Sequence, residues 1–353
     1  MNTISDDTTL NGVKLTLMSD GTELVEEGPF QGMTIVKSKV RADVGVSMNA
    51  EVENNEDRVS NTSNYIIELS NRSCTDVQHQ NWTPGTMPSF ENENLSSLKK
   101  LDLYKNRYIT SLHESVFDLC ELRILSVTRC PRFERLSASI GQLQFLTELN
   151  LTDSTSIEYL PESIGDLKCL KRLVLGSSSQ SSGNKVLQEL PESLGNLTKL
   201  EELSLDKCKA LRRIPASIGN LTLLREIHLR ECKCLTEIPP SIGDCVSLVE
   251  IGLSKCIGLV GIPETIAQLQ NLEDLFMTKC KNLLELPEGI GQCQNLVHLD
   301  LRGCKKLQRL PHTMIKLTRL RSIDLSTCKS LAEIPSCIKE MQLPMLEELN
   351  IDN

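Results

Sequence analysis

From residue 98 onward, leucine and isoleucine recur along the chain with a period of 24 residues. When each period is numbered from its first leucine, apolar residues occupy positions 1, 4 and 6, as in LEELSL at 200–205. Because positions 4 and 6 alternate with polar residues, each period predicts a short β-strand with one buried face. One such unit is too short to bury that face alone, so we expect successive units to stack and share a core.

Ten complete units and the start of an eleventh align in this register. A six-residue insertion interrupts the fourth unit, within GSSSQSSGNK at 176–185, and the tenth unit has two extra residues. The insertion is rich in serine and glycine, which predicts a flexible surface loop that replaces the usual turn. The units begin at Leu98, Leu122, Leu146, Leu170, Leu200, Leu224, Leu248, Leu272, Leu296, Leu320 and Leu346.

The second half of each unit contains a turn and a short helical segment. Position 9 is a cysteine in seven units, where a small buried side chain suits a chain that turns inward. A Leu-Pro or Ile-Pro pair then opens a helical turn that a glycine closes, as from Pro191 to Gly195. We expect the cysteines to be free, buried thiols. The seven are Cys130, Cys208, Cys232, Cys256, Cys280, Cys304 and Cys328.

The pattern L-x-x-L-x-L-x-x-N/C-x-L is typical of leucine-rich repeats. We therefore predict an α/β fold, a right-handed, curved solenoid with a parallel β-sheet on its concave side and short helical or irregular segments on its convex side. The repeat domain spans 98–353, with ten units and a truncated eleventh. Residues 1–97 lack the pattern, and we predict an acidic polar leader, largely disordered, with a capping strand near 64–70.

Charge is distributed unevenly between these two regions. Residues 1–97 carry 6 Lys/Arg and 15 Asp/Glu, a net charge of −9, which leaves 32 of each in the repeat region. An acidic leader and a neutral body argue against nucleic acid or a membrane surface as partner. The chain also lacks a signal-peptide pattern and an apolar stretch long enough to cross a bilayer. We therefore predict a cytoplasmic, intracellular protein in a reducing compartment.

Residues 200–223 nearly reproduce LxxLxLxxCxxLxxLPxxIGxLxx, with Ile214 before the proline. This unit and the L-P-x-S-I-G sequence at 160–165 resemble the leucine-rich repeats of plant intracellular disease-resistance proteins, which carry a nucleotide-binding domain ahead of the repeats. The resemblance implies a non-catalytic protein-recognition scaffold in plant immune and defence signalling. No G-x-x-x-x-G-K-[ST] occurs, so the nucleotide-dependent switch is not expected of this chain.

Other functions and origins stay open at this point. The alternative is an intracellular regulatory scaffold in growth or small-GTPase-type signal transduction. The end of the chain inside the eleventh unit favours a truncated receptor, beside a repeat-only relative or a plant repeat protein related to the Ras-group type. The histidines are scattered and no catalytic constellation can be placed, so we predict no enzyme, metal, cofactor or small-molecule substrate.

Candidate binding residues lie at positions 3, 5, 7 and 8, which we expect to face out from the concave sheet. Four carboxylates at position 3, from Glu202 to Asp274, predict a docking stripe for a basic protein partner, and lysines at position 10 form a basic rim beside it. We expect Phe276 to be an exposed anchor. A solvated polar face is the alternative. The predicted partner-binding residues are Glu202, Asp206, Glu226, His228, Arg230, Glu250, Asp274, Phe276, Asp300, Arg302 and Asp324.

Overall fold

Sixteen strands form one sheet in which each strand pairs with its neighbours in the sequence. The structure, a computed structural model, describes residues 98–177, 182–332, 334–339 and 343–351, and the backbone of five strands before them. Those five are β1 (Thr8–Leu10), β2 (Val13–Leu17), β3 (Glu23–Val25), β4 (Thr34–Lys37) and β5 (Tyr65–Ser70). They pair antiparallel from β1 to β5. Apart from these strands, the prediction of a largely disordered leader falls outside the described residues.

From β5 onward every pairing is parallel, and equivalent positions of successive units lie opposite each other. Leu203 is opposite Ile227, for example, and Ile227 is opposite Ile251. The remaining strands are β6 (Leu98–Tyr104), β7 (Ile124–Thr128), β8 (Glu148–Asn150), β9 (Arg172–Val174), β10 (Glu202–Ser204), β11 (Glu226–His228), β12 (Glu250–Gly252), β13 (Asp274–Phe276), β14 (His298–Asp300), β15 (Ser322–Asp324) and β16 (Glu348–Asn350).

The side opposite the sheet consists of 3₁₀ helices of five residues each, and one short α-helix, α1 (Ser336–Lys339). Proline caps the N-terminus of most of these helices, where its fixed φ is favourable and no N–H is needed. The predicted stack of parallel strands and short helical segments is confirmed. The 3₁₀ helices are Glu114–Asp118, Ala138–Gln142, Glu162–Asp166, Glu192–Asn196, Ala216–Asn220, Pro240–Asp244, Glu264–Gln268, Glu288–Gln292 and His312–Lys316.

The core lies between the sheet and these helices and repeats from unit to unit. Positions 1, 4, 6, 9, 12, 15, 19 and 22 are buried, which confirms the predicted burial of the position-9 cysteines. Each buried aliphatic side chain contributes about 1.5–3 kcal/mol of transfer free energy, before the entropy of ordering the chain is subtracted. In the fifth unit these residues are Leu200, Leu203, Leu205, Cys208, Leu211, Ile214, Ile218 and Leu221.

Position 9 also joins each unit to the one before it. The Cys256 thiol donates a hydrogen bond to the carbonyl oxygen of Leu229 at 3.0 Å, and the Ser154 hydroxyl donates to Val127 at 2.6 Å. The Leu229 carbonyl also accepts from the N–H of Cys232 at 3.1 Å, so the thiol supplies a second hydrogen bond to it inside the core. Similar bonds are made by Cys130, Cys232, Cys280, Cys304 and Cys328.

The fourth unit keeps this turn despite its insertion. Asn184 occupies position 9 and is buried, so the prediction that the insertion replaces the turn is wrong. Its amide donates to the carbonyl of Ile157 at 2.8 Å, and its side-chain oxygen accepts from the backbone N–H of Val186 and of Leu187, both at 2.8 Å. The extra residues therefore lie before the turn, and β9 and β10 remain in register.

Most of the 3₁₀ helices approach each other so closely that small residues are needed. A Cβ on Gly195, at position 20, would lie 2.4 Å from the carbonyl oxygen of Ser217 in the next unit and 2.5 Å from its Cβ. In the seventh unit position 20 is Ala267, and the facing residue of the eighth unit is Gly289. In this pair the glycine occupies position 18 and the larger residue occupies position 20, the reverse of the arrangement of Gly195 and Ser217.

Glutamate at position 17 links the same helices. The Glu264 carboxylate accepts from the backbone N–H of Glu288 at 3.3 Å and of Gly289 at 2.8 Å. Glu162 and Glu192 accept in the same way from Ser193 and Ser217. Because the first N–H groups of a helix have no partner within the helix, each carboxylate caps the helix of the following unit. The L-P-E-S-I-G sequence is therefore a packing and capping device.

Candidate functional site

The sheet face brings the predicted carboxylates together in a row. Glu202, Glu226, Glu250 and Asp274 are opposite one another on β10 to β13, and His298 on β14 continues the row. Adjacent strands are about 4.8 Å apart, so successive carboxylates lie within range of mutual repulsion. The predicted stripe of position-3 carboxylates therefore exists as a geometric feature of the sheet.

Arginine neutralises one end of this row. Arg172 on β9 contacts Glu202 through Nε at 2.6 Å and Glu148 through a terminal nitrogen at 3.2 Å. These hydrogen bonds and charges raise the pKa of Arg172, with the Glu202 bond as the largest cause. The acidic character of the face is thus concentrated on Glu226, Glu250 and Asp274.

His228 lies among these remaining carboxylates. Its Nε2 is 3.4 Å from Glu226 and its Nδ1 is 3.6 Å from Glu250. Partial burial raises the pKa of Glu250, an effect that His228 opposes. Burial likewise raises the pKa of Asp274, which His298 approaches at 4.0 Å. Desolvated carboxylates of this kind are stabilised when a cation approaches.

Phe276 is only partly exposed, less than predicted, and its role as an anchor stays a prediction. It lies at the end of β13 between Gly252 and Asp300 on the neighbouring strands. Gly252 has no side chain to fill the space beside it, which leaves the face open on that side. Arg230 and Arg302, by contrast, are exposed as predicted.

Three predicted site residues have a structural role that sequence reasoning missed. The Asp300 carboxylate accepts from the backbone N–H of Arg302 at 2.9 Å, and Asp324 accepts from Ser326 at 2.8 Å. Asp206 accepts from the N–H of Arg230 in the next unit at 2.8 Å. Asp and Asn side chains commonly accept a hydrogen bond from the backbone N–H two residues later. The roles of Asp300 and Asp324 at position 5 could therefore have been predicted from the sequence.

The described part of the chain was also searched for metal sites and membrane-spanning helices. Within those residues, no group of three or more His, Cys, Asp or Glu side chains could hold a metal ion. A search of the same residues finds no helix whose length and hydropathy suit a membrane crossing. The sheet face offers charges and shape, and these suit the binding of a protein surface.

Comparisons with known proteins agree with this architecture. A family model described as a leucine-rich repeat region matches residues 72–229. The Toll–Spatzle complex of Drosophila aligns with 21% identity over 76% of this chain and 36% of that chain, at a TM-score of 0.59. No curated protein matches the chain. The fold is a leucine-rich-repeat solenoid.

Two further solved structures align over most of the repeat region. A leucine-rich-repeat protein of Leptospira interrogans is 27% identical over 76% of this chain and 81% of that chain, with a TM-score of 0.42. The Arabidopsis receptor kinase HAESA, solved with a peptide hormone and a co-receptor, is 24% identical over 73% of this chain and 42% of that chain, with a TM-score of 0.46.

Proposed function

We propose that this protein is a non-catalytic recognition scaffold that binds a basic protein partner on its sheet face, in plant immune signalling inside the cell. The observation that carries the proposal is the row of carboxylates Glu226, Glu250 and Asp274 on adjacent strands, of which Glu250 and Asp274 are partly desolvated. A basic side chain from a partner would relieve the repulsion within this row and replace the water lost on burial.

The regularity of the fold supports this assignment. Core positions repeat the same residue types, whereas position 5 of successive units is Ser204, His228, Gly252, Phe276 and Asp300. Repeat proteins use such a face as an extended binding surface. The Toll and HAESA structures contain protein or peptide ligands, Spatzle for Toll and a hormone for HAESA. The immune and intracellular parts of the proposal rest on the resemblance of the repeats to plant disease-resistance proteins.

Charge reversal on the sheet face tests this proposal. We expect Glu226→Lys combined with Glu250→Lys to slow association with a partner captured by the wild-type protein and to reduce its salt dependence, since such charges act mainly on the encounter rate. The matched control is Glu237→Lys with Asp244→Lys, which makes the same charge change at exposed residues away from the sheet. Binding kinetics at two salt concentrations provide the measurement.

Phe276→Ala tests the apolar part of the face. Removing a partly buried aromatic contact should speed dissociation of the same partner by roughly tenfold, or about 1.4 kcal/mol. A urea unfolding curve separates this effect from lost stability. If this variant and the double charge reversal both bind like the wild type, recognition does not occur on the sheet face.

A further inference from the structure

The turns that follow the strands carry a second charged surface, of opposite sign to the sheet face. Positions 8 to 13 of units five to ten contain ten basic residues and one acidic residue, Glu231, a net charge of 10 − 1 = +9. The whole region 98–353 is neutral, so this segregation is a property of the turns. We name these basic residues, of which Lys207 is buried, the lysine edge: Lys207, Lys209, Arg212, Lys233, Lys255, Lys279, Lys281, Lys305, Lys306 and Lys329.

The backbone holds the lysine edge in a fixed geometry. Position 8 adopts a left-handed conformation, with φ of 65° at Lys255 and 59° at Lys279. The N–H of Lys255 donates to the carbonyl of Thr278 in the next unit at 2.6 Å, which locks the turn. Such a φ costs a non-glycine residue about 1–2 kcal/mol, so these positions carry side chains at some expense of stability.

Positive charges in this edge lie close to one another. The Lys255 ammonium is 2.7 Å from Glu231, the one acidic residue of the edge. Lys233, Lys281 and Lys305 at position 10 are exposed. Burial lowers the pKa of Lys209, and the charge of Lys233 lowers it further. The edge therefore has more positive charge than its own residues neutralise.

An apolar patch interrupts the lysine edge at its centre. Ile257 stands at position 10 of the seventh unit, where the units on both sides have Lys233 and Lys281. Val260 and Leu284 at position 13 are neighbours, because the N–H of Leu284 donates to the carbonyl of Val260 at 3.1 Å. The three side chains are 36%, 51% and 44% exposed. Aliphatic groups surrounded by lysines fit a ligand that is both acidic and apolar.

We propose that the lysine edge docks an acidic segment of a partner protein, whose aliphatic side chains pack on Ile257, Val260 and Leu284. Charge complementarity selects the acidic segment, and the apolar patch favours a peptide over a phosphate backbone. Positions 8 to 13 of these units contain no aromatic residue on which bases could stack, and nine of the ten basic residues are lysine. Arginine is the usual residue for bidentate phosphate contacts. This surface is separate from the sheet face and does not depend on the function proposed above.

Direct binding to the full chain tests the proposal. The probe is a fluorescein-labelled synthetic peptide rich in Glu with Leu interspersed, compared by anisotropy with a peptide in which Ser replaces Leu. We expect the Leu peptide to bind more tightly. Lys233→Glu with Lys281→Glu should weaken its binding by roughly tenfold or more and lower the salt dependence. Ile257→Ser with Leu284→Ser should remove the advantage of the Leu peptide.

The control variant is Lys199→Glu with Lys316→Glu, which makes the same charge change at exposed residues near the 3₁₀ helices. It should leave the affinity for the Leu peptide unchanged within about twofold. Urea unfolding of all variants verifies that each is folded. An equal loss in the control, or equal binding of the Leu and Ser peptides in the wild type, would overturn the proposal.

Other occupants give different results in the same assay. Tighter binding of a single-stranded oligonucleotide, or of phosphatidylserine vesicles, than of the Leu peptide would replace the protein segment with a phosphate ligand. The acidic leader of this chain, residues 1–97, is the remaining candidate for binding to the lysine edge. A variant of the full chain changes Glu51, Glu53 and Glu56 to Gln and Asp57 to Asn. If this variant binds the peptide several-fold more tightly, the leader occupies the lysine edge and an external partner is excluded. The variant Glu226→Lys with Glu250→Lys should retain peptide binding, which separates this test from that of the sheet face.

Discussion

The 3₁₀-helix side and the sheet face have the same period but opposite tolerance of sequence change. On the helix side, Gly195 contacts Ser217 so closely that a single methyl group has no room, and where Ala267 replaces the glycine the facing residue is Gly289 instead of a serine. On the sheet face, position 5 holds His228, a glycine and an aromatic residue in three successive units on the same backbone. The repeated residues thus serve contact between units, and the variable residues are available for recognition.

The strongest test of this contrast is substitution at the helix contact. Gly195→Ala should lower the free energy of unfolding by about 1–3 kcal/mol, because the added Cβ overlaps Ser217. Adding Ser217→Gly recreates the Ala267–Gly289 pairing and should restore part of the loss, because it removes the overlap with the Ser217 Cβ but not the overlap with its carbonyl oxygen. Urea unfolding of both single variants and the double variant measures the coupling.

Ala267→Gly is the control for this cycle. It removes a methyl group that faces Gly289 and causes no overlap. We therefore expect the free energy of unfolding to fall only by the entropic cost of a glycine, about 0.5–1 kcal/mol. Full stability of Gly195→Ala would show that the helices can separate without cost, and the contrast between the two sides would fail.

Alkaline pH tests the buried thiols between the two sides. Burial raises the pKa of Cys256 from 9.0 to about 12, so in the folded protein the thiol stays protonated while the unfolded chain ionises. The Cys256 thiol therefore does not affect the free energy of unfolding below pH 9.0 and lowers it above that pH. The free energy of unfolding should fall by about 1.4 kcal/mol per pH unit for each such thiol until the folded pKa is reached.

Cys256→Ser should therefore reduce the alkaline slope of the free energy of unfolding by the contribution of one thiol. The native Ser154 shows that a hydroxyl fits position 9. Exposed Cys234→Ser is the matched control and should leave the slope unchanged. Urea unfolding at several pH values above neutrality provides both slopes. Equal slopes for the two variants would mean that Cys256 ionises in the folded state.

The smallest effect is expected on the sheet face. Glu226→Gln with Glu250→Gln should change the free energy of unfolding at neutral pH by less than about 0.5 kcal/mol, since neither side chain packs in the core. The comparison is Gly195→Ala under the same conditions. A loss as large as that of Gly195→Ala would place these carboxylates among the structural positions and weaken the case for recognition on this face.

The period of the sequence was sufficient to predict the strands and the core. Leu203 and Leu205 alternate with polar residues, and Cys232 recurs at a fixed distance from them, so their burial follows from local spacing. The Ala267–Gly289 pair was not predictable in this way, because it joins position 20 of one unit to position 18 of the next. Only stacking brings these two positions together.

The candidate site was predictable as a row of positions but not in its detail. The alignment of Glu226 with Glu250 follows from the common register of the units. The partial burial of Phe276 does not follow from its position in the repeat, and the link from Arg172 to Glu202 depends on side-chain conformations. The role of Asn184 was not predictable, because the spacing does not show at which residue the chain returns to the repeat after the insertion. Spacing alone contains none of this information.

The position-9 bonds give the array a direction of growth. Each thiol, hydroxyl or amide donates backwards, so the carbonyl of Leu229, which accepts from the N–H of Cys232 in its own unit, gains a second hydrogen bond once Cys256 has been made. On a ribosome, every new coil would complete the coil synthesised before it, and folding could follow translation from the N-terminus without waiting for the end of the chain. A break between the sixth and seventh units would leave the N–H groups of Leu229 and Glu231 without their acceptors, Gly252 and Ser254. On the fragment after the break, the Cys256 thiol, a weak donor, would lose its acceptor as well.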